Sequence, residues 1–314
     1  VSEPRPWLGY LLVLTAAVLF GLNAGMSRIP LRSGTDEATF TTVRITAGLL
    51  VLLVIAALSN RSALRPPALR RWPLVLGLGA VGIAGLQGFY NVAINRLPLG
   101  IALLLEYTGP VLVVLWVRFA RHRPVHARMW PALGLTLIGL AVVSQVWDGL
   151  EFDGLGVTMA LLAAVCYAAY FLLGEEHSVS AEPLRHILWA FATATVLMNL
   201  IAPVWQADEL GRQASMLGRL SDLQIPAWTA MAWVVVLGTV TPFFLLLLAL
   251  RSLPATVVSV VAMLEPVVAT LVGWAWFAES LTIVQIGGVV TVLAGIAMAQ
   301  TARRDEPDEA LPPV

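Results

Sequence analysis

Along the chain, apolar stretches of about 20 residues, the length an α-helix needs to cross the hydrocarbon core of a bilayer, alternate with short polar turns. They run at 7–28, 38–58, 72–95, 99–119, 130–147, 153–174, 184–206, 227–250, 254–276 and 281–301. Unpaired backbone groups are not tolerated at that depth, so each stretch predicts a helix, and the whole predicts an all-α membrane protein with ten transmembrane helices. The longest connection, Ala207 to Pro226, is too small for a soluble domain. The acidic, proline-containing segment 303–314 predicts a solvated, disordered tail. The first stretch, from Trp7 to Met26, is too long for a signal-peptide core and is expected to remain as a helix of the mature protein.

Composition agrees with this pattern. Of 314 residues, 59% are hydrophobic and 12% charged, against about a quarter charged in an ordinary soluble domain. Acidic and basic residues cancel, so no overall field points to a nucleic-acid partner. Cys166 has no second cysteine to pair with, which excludes an internal disulfide and a cysteine-cluster metal site. Every basic residue is arginine, and placement carries the information. Arg61, Arg65, Arg70 and Arg71 follow span 2, and Arg118, Arg121, Arg123 and Arg128 follow span 4, which puts both loops on one side. By the positive-inside rule that side is the cytoplasm, so the expectation is a multi-pass protein of the cell inner (plasma) membrane with both termini cytoplasmic.

The chain also repeats itself. A shift of 156 residues lays Pro110 on Pro266, Trp72 on Trp228, Gly82 on Gly238, and Leu137-Ile138-Gly139-Leu140-Ala141 on Leu293-Ala294-Gly295-Ile296-Ala297. A shift of 147 aligns the first spans of the halves, with Gly9 on Gly156 and Ala16-Ala17-Val18 on Ala163-Ala164-Val165. The expected organisation is a first five-helix repeat at 1–147 and a second at 148–302. Five is odd, so the second half enters the membrane from the side opposite to the first, and the repeats are inverted. That arrangement is widespread in secondary transporters, which bind substrate near the midplane between the repeats.

Ten spans, two halves and Leu-Pro-led fourth and ninth spans (Arg96-Leu97-Pro98, Ser252-Leu253-Pro254) resemble the drug/metabolite transporter superfamily in its EamA-type branch. Arg96-Leu97-Pro98-Leu99-Gly100-Ile101-Ala102 followed by Leu105-Glu106-Tyr107-Thr108-Gly109-Pro110 resembles the threonine and homoserine exporters of the RhtA type. Leu264-Glu265-Pro266 and Ala278-Glu279-Ser280-Leu281 match common patterns of the superfamily, whereas the first half carries Arg121-His122-Arg123-Pro124 where an acidic residue would be usual. The resemblance implies export of small molecules.

A charged side chain inside the bilayer costs about 2.5–3.5 kcal/mol on insertion scales, so each one needs a reason. Three lie inside spans and away from the span ends: Arg44, Glu106 and Glu265. Each carboxylate is next to a helix break. Pro110 cannot donate to the carbonyl of Glu106 and Pro266 leaves that of Ala262 unpaired, which would expose polar backbone beside an acid. Such a place suits an ammonium group or a proton; the alternative is a buried tie between helices. For Arg44, binding a substrate carboxylate and snorkelling to the interface stand side by side. Gln87, Asn91 and Asn95, four residues apart, with Tyr90 beside them, form one polar stripe on span 3. Asn23 and Tyr170, equivalent under the 147-residue shift, are candidate cavity walls, with Tyr167 one turn before Tyr170 on the same face. Tyr107 adjoins Glu106, and Thr241-Pro242 marks a further bend in span 8. The candidate substrate-binding set is therefore Glu106, Gln87, Tyr90, Asn91, Tyr107, Asn23, Tyr170 and Arg44. The coupling set is Glu106 and Glu265, and the helix breaks are Pro110, Pro266 and Pro242.

The expected function is secondary active transport by alternating access, exporting small amino acids or related metabolites. Substrate class and direction are what the resemblance implies, and proton coupling rests on the two intramembrane carboxylates. Drugs, purines or other metabolites are alternative cargo, and a passive channel or a membrane enzyme is the reading from another class. Against an enzyme, His122, His126, His177 and His186 are read as loop residues without metal-ligand partners, and no GxxxxGK[ST] motif is present. The glycines of span 3 (Gly77, Gly79, Gly82, Gly85) read as close helix contacts. No cofactor or metal is expected; the partners are a small-molecule substrate and membrane lipids.

Overall fold

The computed structural model describes residues 6–94, 96–97, 99–146, 153–178, 183–207 and 211–304. Among them, nine helices are long and apolar enough to cross a membrane: Pro6–Arg32, Glu37–Ser59, Leu69–Ile94, Ile101–Ala120, Gly154–Glu176, Pro183–Ile201, Ala227–Ala249, Ala255–Ala275 and Ile283–Thr301. A shorter apolar helix, Met129–Val143, occupies the place of span 5. The bundle is apolar on the outside as well as inside. Leu58, Leu200, Ile201 and Ile283 are exposed along with many other large aliphatics, which suits helices whose solvent is lipid. Of the expected tail, Arg303 and Arg304 belong instead to the last helix, which runs on to Arg304, and 305–314 lie outside the described residues. Asn95 of the polar stripe lies outside them too.

The packing has a twofold pattern that matches the two sequence shifts. Span 1 packs against spans 8 and 9, and span 6 against spans 3 and 4. Span 2 pairs with span 7, and span 5 with span 10. Individual contacts repeat in the same way: Gly238 lies against Asn23, and its counterpart Gly82 against Tyr170. Spans 5 and 10 approach most closely through Gly139 and Gly295. A methyl at Gly139 would lie 2.6 Å from the backbone nitrogen of Val292, and one at Gly295 would lie 2.8 Å from the carbonyl of Ala132. Helices in lipid gain little from hydrophobic exclusion, so backbone proximity of this kind is what holds them. Gly139→Leu is therefore expected to destabilise the bundle by about 1–3 kcal/mol, the usual cost of overpacking. A lowered midpoint of thermal unfolding in detergent, with reduced abundance, is the result to look for.

The spans also break where proline directs. Span 4 is helical over Leu99–Glu106 and again over Gly109–Leu115, while span 9 is helical over Ala255–Ala262 and again over Glu265–Ala275. The two interruptions, at 107–108 and 263–264, are equivalent under the 156-residue shift. Spans 3 and 8 each contain a π-helical stretch, Leu78–Gly85 and Val236–Val240, again in equivalent places, and Thr241-Pro242 follows directly after the second.

Two expectations need correcting. His177 and His186 are in helices, Gly154–Ser178 and Pro183–Ile201, not in loops. His186 is buried, with Nε2 lying 3.4 Å from Nη1 of Arg71 across the spans. Its place one turn into an amphipathic helix start accounts for the error, since the apolar run resumes only after it. Arg44 does not snorkel: it is buried, and its guanidinium donates to the side-chain oxygen of Gln87 in span 3. A polar partner at the same depth outcompetes the longer reach to the interface.

The 207–226 connection contains an antiparallel pair of strands, Gln213–Ser215 with Gln224–Pro226. Between them Gly218 has φ of 53°, and a methyl there would lie 2.3 Å from the carbonyl oxygen of Trp276. Only glycine meets both conditions. The hairpin is thereby held on the end of span 9, where Trp276 Nε1 donates to the carbonyl of Met216 at 3.1 Å and the Arg219 amide donates to the Trp276 carbonyl at 2.8 Å.

Candidate functional site

One cavity of about 570 Å³ opens into the centre of the bundle. Its walls come from both halves. Spans 1, 2 and 3 contribute Asn23, Arg44, Gln87, Tyr90 and Asn91; span 4 contributes Glu106 and Tyr107; spans 6, 8 and 9 contribute Tyr167, Tyr170, Phe243 and Glu265. Every residue of the candidate substrate-binding set lines it, as do Glu265 and Pro266, while Pro110 and Pro242 are not in its wall. The wall continues to Arg28, Glu37, Ser144 and Glu279, all at the end of the bundle opposite the arginine-rich loops. This arginine-poor end is therefore the side on which the cavity is reached.

The acids are positioned by the broken helices. Glu106 is the last helical residue before the 107–108 interruption, and Glu265 is the first after the 263–264 interruption. Both are half-buried. Glu265 shares a side-chain hydrogen bond with the Tyr107 hydroxyl, which crosses from one repeat to the other. The Tyr107 ring is fixed edge-on to Tyr167, with centroids 5.6 Å apart. Glu106 makes no hydrogen bond among the described residues, and its carboxylate is close enough to Glu265 for the two charges to interact. One acid is thus anchored and the other is available.

Facing them, Arg44 is held by three groups. It donates to Gln87, its guanidinium carbon is 5.6 Å from the Phe40 ring centroid, and its charge interacts with Glu265. Its Nε has no hydrogen-bond partner. A buried donor left unsatisfied costs about 1–3 kcal/mol, so it marks a place that an acceptor would fill. One turn nearer the mouth, Asn91 donates to the Thr41 hydroxyl and, at 3.4 Å, to the Glu37 carbonyl. The polar stripe of span 3 thus faces span 2 and the cavity together.

Asn23 and Tyr170 have different local roles. Asn23 accepts from the Ser27 hydroxyl at 3.2 Å, and Tyr170 donates to the Phe243 carbonyl at 2.7 Å. The tyrosine hydroxyl is therefore committed to span 8, and its ring presents an apolar face.

Sequence reasoning passed over an asymmetry between the repeats. Under the two shifts, Arg44 and Gln87 correspond to Phe191 and Phe243, and Thr41 and Asn91 correspond to Leu188 and Leu247. Phe191 and Phe243 are themselves in edge contact, with centroids 6.1 Å apart. The polar pairs of the first repeat thus have apolar pairs as counterparts in the second. All four are buried, in the halves of spans 7 and 8 nearer the arginine-rich loops, and Phe243 lies in the cavity wall. The repeat alignment was the signal that would have found them.

A bundle of two repeats around a central charged cavity, open at one end and sealed at the other, is the architecture of a membrane transporter. The chain belongs to the EamA-like transporter family, whose pattern matches twice, over residues 7–145 and 154–301. It is 28% identical to the threonine/homoserine exporter RhtA of Salmonella typhimurium (strain LT2), over 96% of this chain and 94% of that one. It is 29% identical to the RhtA of Escherichia coli (strain K12), over 90% and 88%. It is also 23% identical to the uncharacterized transporter YdfC of Bacillus subtilis, over 89% and 85%. A solved crystal structure superposes with a TM-score of 0.73 over 95% of this chain and 99% of that one, at 20% identity, which is a likeness of fold. These relatives are transporters and exporters, not enzymes.

Proposed function

We propose that this protein is a proton-coupled exporter of small amino acids or closely related zwitterionic metabolites in the inner membrane, working by alternating access between its five-helix halves, 1–147 and 148–302. The observation that carries the reading is the pairing of one buried guanidinium, Arg44, with two carboxylates, Glu106 and Glu265, in the wall of one cavity. A zwitterion has the complementary charges. Its carboxylate accepts from the unsatisfied Nε edge of Arg44, as planar carboxylates do from a guanidinium fork. Its ammonium group sits toward the acids. The two RhtA relatives are named for threonine and homoserine, both of which carry that headgroup. A cavity of about 570 Å³ is within the usual range for small-molecule sites.

Glu106, unbonded and beside a second carboxylate, is the proton acceptor. Protonation removes a repulsion between two like charges and weakens the hold on the ammonium, which links proton entry to substrate release. A passive channel fits poorly, because the apolar pairs of the second repeat close the cavity on one side.

Uptake of radiolabelled threonine and other small amino acids into inside-out vesicles tests the proposal. Saturable uptake that rises with an imposed pH gradient is expected. Uptake that is linear in concentration and indifferent to the gradient would refute carrier transport. The orientation has its own test. Arginine-rich loops belong to the cytoplasm, so reporter fusions after Arg65 and Arg123 are expected to read as cytoplasmic and a fusion after Asp36 as periplasmic. The opposite pattern would reverse the assignment of the cavity mouth.

A further inference from the structure

Spans 4 and 9 end in the same turn. His122 and Ala278, equivalent under the 156-residue shift, both have left-handed backbones, with φ of 52° and 57°. The next amide reaches back six residues in each case, Arg123 to the Val117 carbonyl and Glu279 to the Gly273 carbonyl, both at 3.1 Å. This is the Schellman closure of a helix, usually made with glycine at the left-handed position. An identical turn in both repeats, built on a histidine and an alanine, points to a requirement for its geometry.

Each turn carries a charge that meets the end of the first span of the opposite repeat, and the signs are exchanged. At the arginine-rich end, Arg121 pairs with Glu175, and at 2.8 Å with Glu176, at the end of span 6. At the arginine-poor end, Glu279 pairs at 2.8 Å with Arg28 of span 1, which also lies over the Phe277 ring at 4.5 Å from its centroid. Arg28 and Glu175 are equivalent under the 147-residue shift. The arginine-rich pair is well covered, with side chains 18% and 20% exposed, and Glu175 also accepts from the Ala255 amide at the start of span 9 at 2.8 Å. The other pair is 39% and 53% exposed and forms part of the cavity wall. The two ends are thus one device in two conditions.

We propose that Arg121–Glu175 and Arg28–Glu279 are charge-exchanged latches that take turns. The first is largely covered and holds the arginine-rich end shut while the cavity is reached from the arginine-poor end. The second becomes covered in the same manner when the repeats exchange conformations and the arginine-poor end closes. The proposal rests on the alternating-access reading, but its test needs neither substrate nor proton gradient, so it can fail while transport stands.

The test uses single-cysteine reporters in a Cys166→Ala background, in permeabilised membranes where a maleimide reaches both ends. Ser144→Cys reports the open mouth, since Ser144 is in the cavity wall. Leu250→Cys reports the sealed end. Leu250 is buried here and is the counterpart of Ile94, which lines the cavity. Arg121→Gln is expected to raise labelling at the Leu250 reporter and lower it at the Ser144 reporter, changing the ratio of the two by about threefold, the scale that one partly exposed ion pair supports. Glu279→Gln is expected to shift both in the opposite sense, and the double variant to return toward the parent. Glu175→Gln and Arg28→Gln, the opposite partners, must repeat the two shifts, which covers the case of a variant that fails to fold. Shifts in the same direction at both ends, or no shift in variants that reach the membrane, would make the pairs static ties and overturn the proposal.

Discussion

Glu106→Gln is expected to reach the membrane at normal abundance and to lose accumulation driven by a pH gradient, while substrate exchange at equal pH continues but with a raised half-saturation concentration, because one of the two carboxylates facing the ammonium is gone. The substitution keeps size and polarity and removes the charge and the titration. Glu106 makes no hydrogen bond whose loss would disturb folding, and its proximity to Glu265 is a charge interaction that the amide relieves. Glu265→Gln is the contrasting variant. Glu265 is tied to Tyr107 across the repeat boundary, so that change is expected to lower abundance at least as much as specific activity. Measurement of both in one reconstituted system separates the coupling acid from the structural one. Normal gradient-driven transport by Glu106→Gln would remove the carboxylate from coupling and shift attention to Gln87, Tyr90 and Asn91.

Arg44→Lys is expected to reduce substrate affinity by roughly 10- to 150-fold, corresponding to the loss of about 1.5–3 kcal/mol for a hydrogen bond to a charged group. Lysine retains the charge but not the planar fork, so it can no longer donate to Gln87 and to a carboxylate together. The effect should appear in the half-saturation concentration for exchange, with the pH dependence intact, because the acids are untouched. Unaltered affinity in this variant would place the carboxylate elsewhere.

Much of this structure was legible before any coordinates, and the reasons are physical. Apolar stretches of bilayer length leave only helices as an outcome, and Pro110 and Pro266 break their helices because proline has no amide hydrogen to give. The repeat was readable because prolines and glycines are costly to misplace. The pairing of spans 5 and 10 was hidden, since Gly139 and Gly295 show only that something comes close, not what. The left-handed turns at His122 and Ala278 were also hidden, because neither residue is one that normally takes that conformation. The arginines at 121–123 looked like a departure from symmetry. In three dimensions they are its complement, since Glu175 stands where the other repeat has Arg28. Arg44 was open between interface and bundle interior until the depth of Gln87 on span 3 was known. A residue forty-odd positions away in sequence decided which.

Counterflow in proteoliposomes with three related compounds tests the central claim, that one buried arginine and an acid pair read the two charges of a zwitterion. The liposomes are preloaded with threonine, and exchange is measured against external labelled threonine, its decarboxylated amine and its hydroxy-acid analogue. Threonine is expected to exchange, and both analogues are expected to fail or to need at least about a hundredfold higher concentration, since each leaves one buried charge unpaired. Exchange of the amine or the hydroxy acid at the concentration that suffices for threonine would contradict the claim.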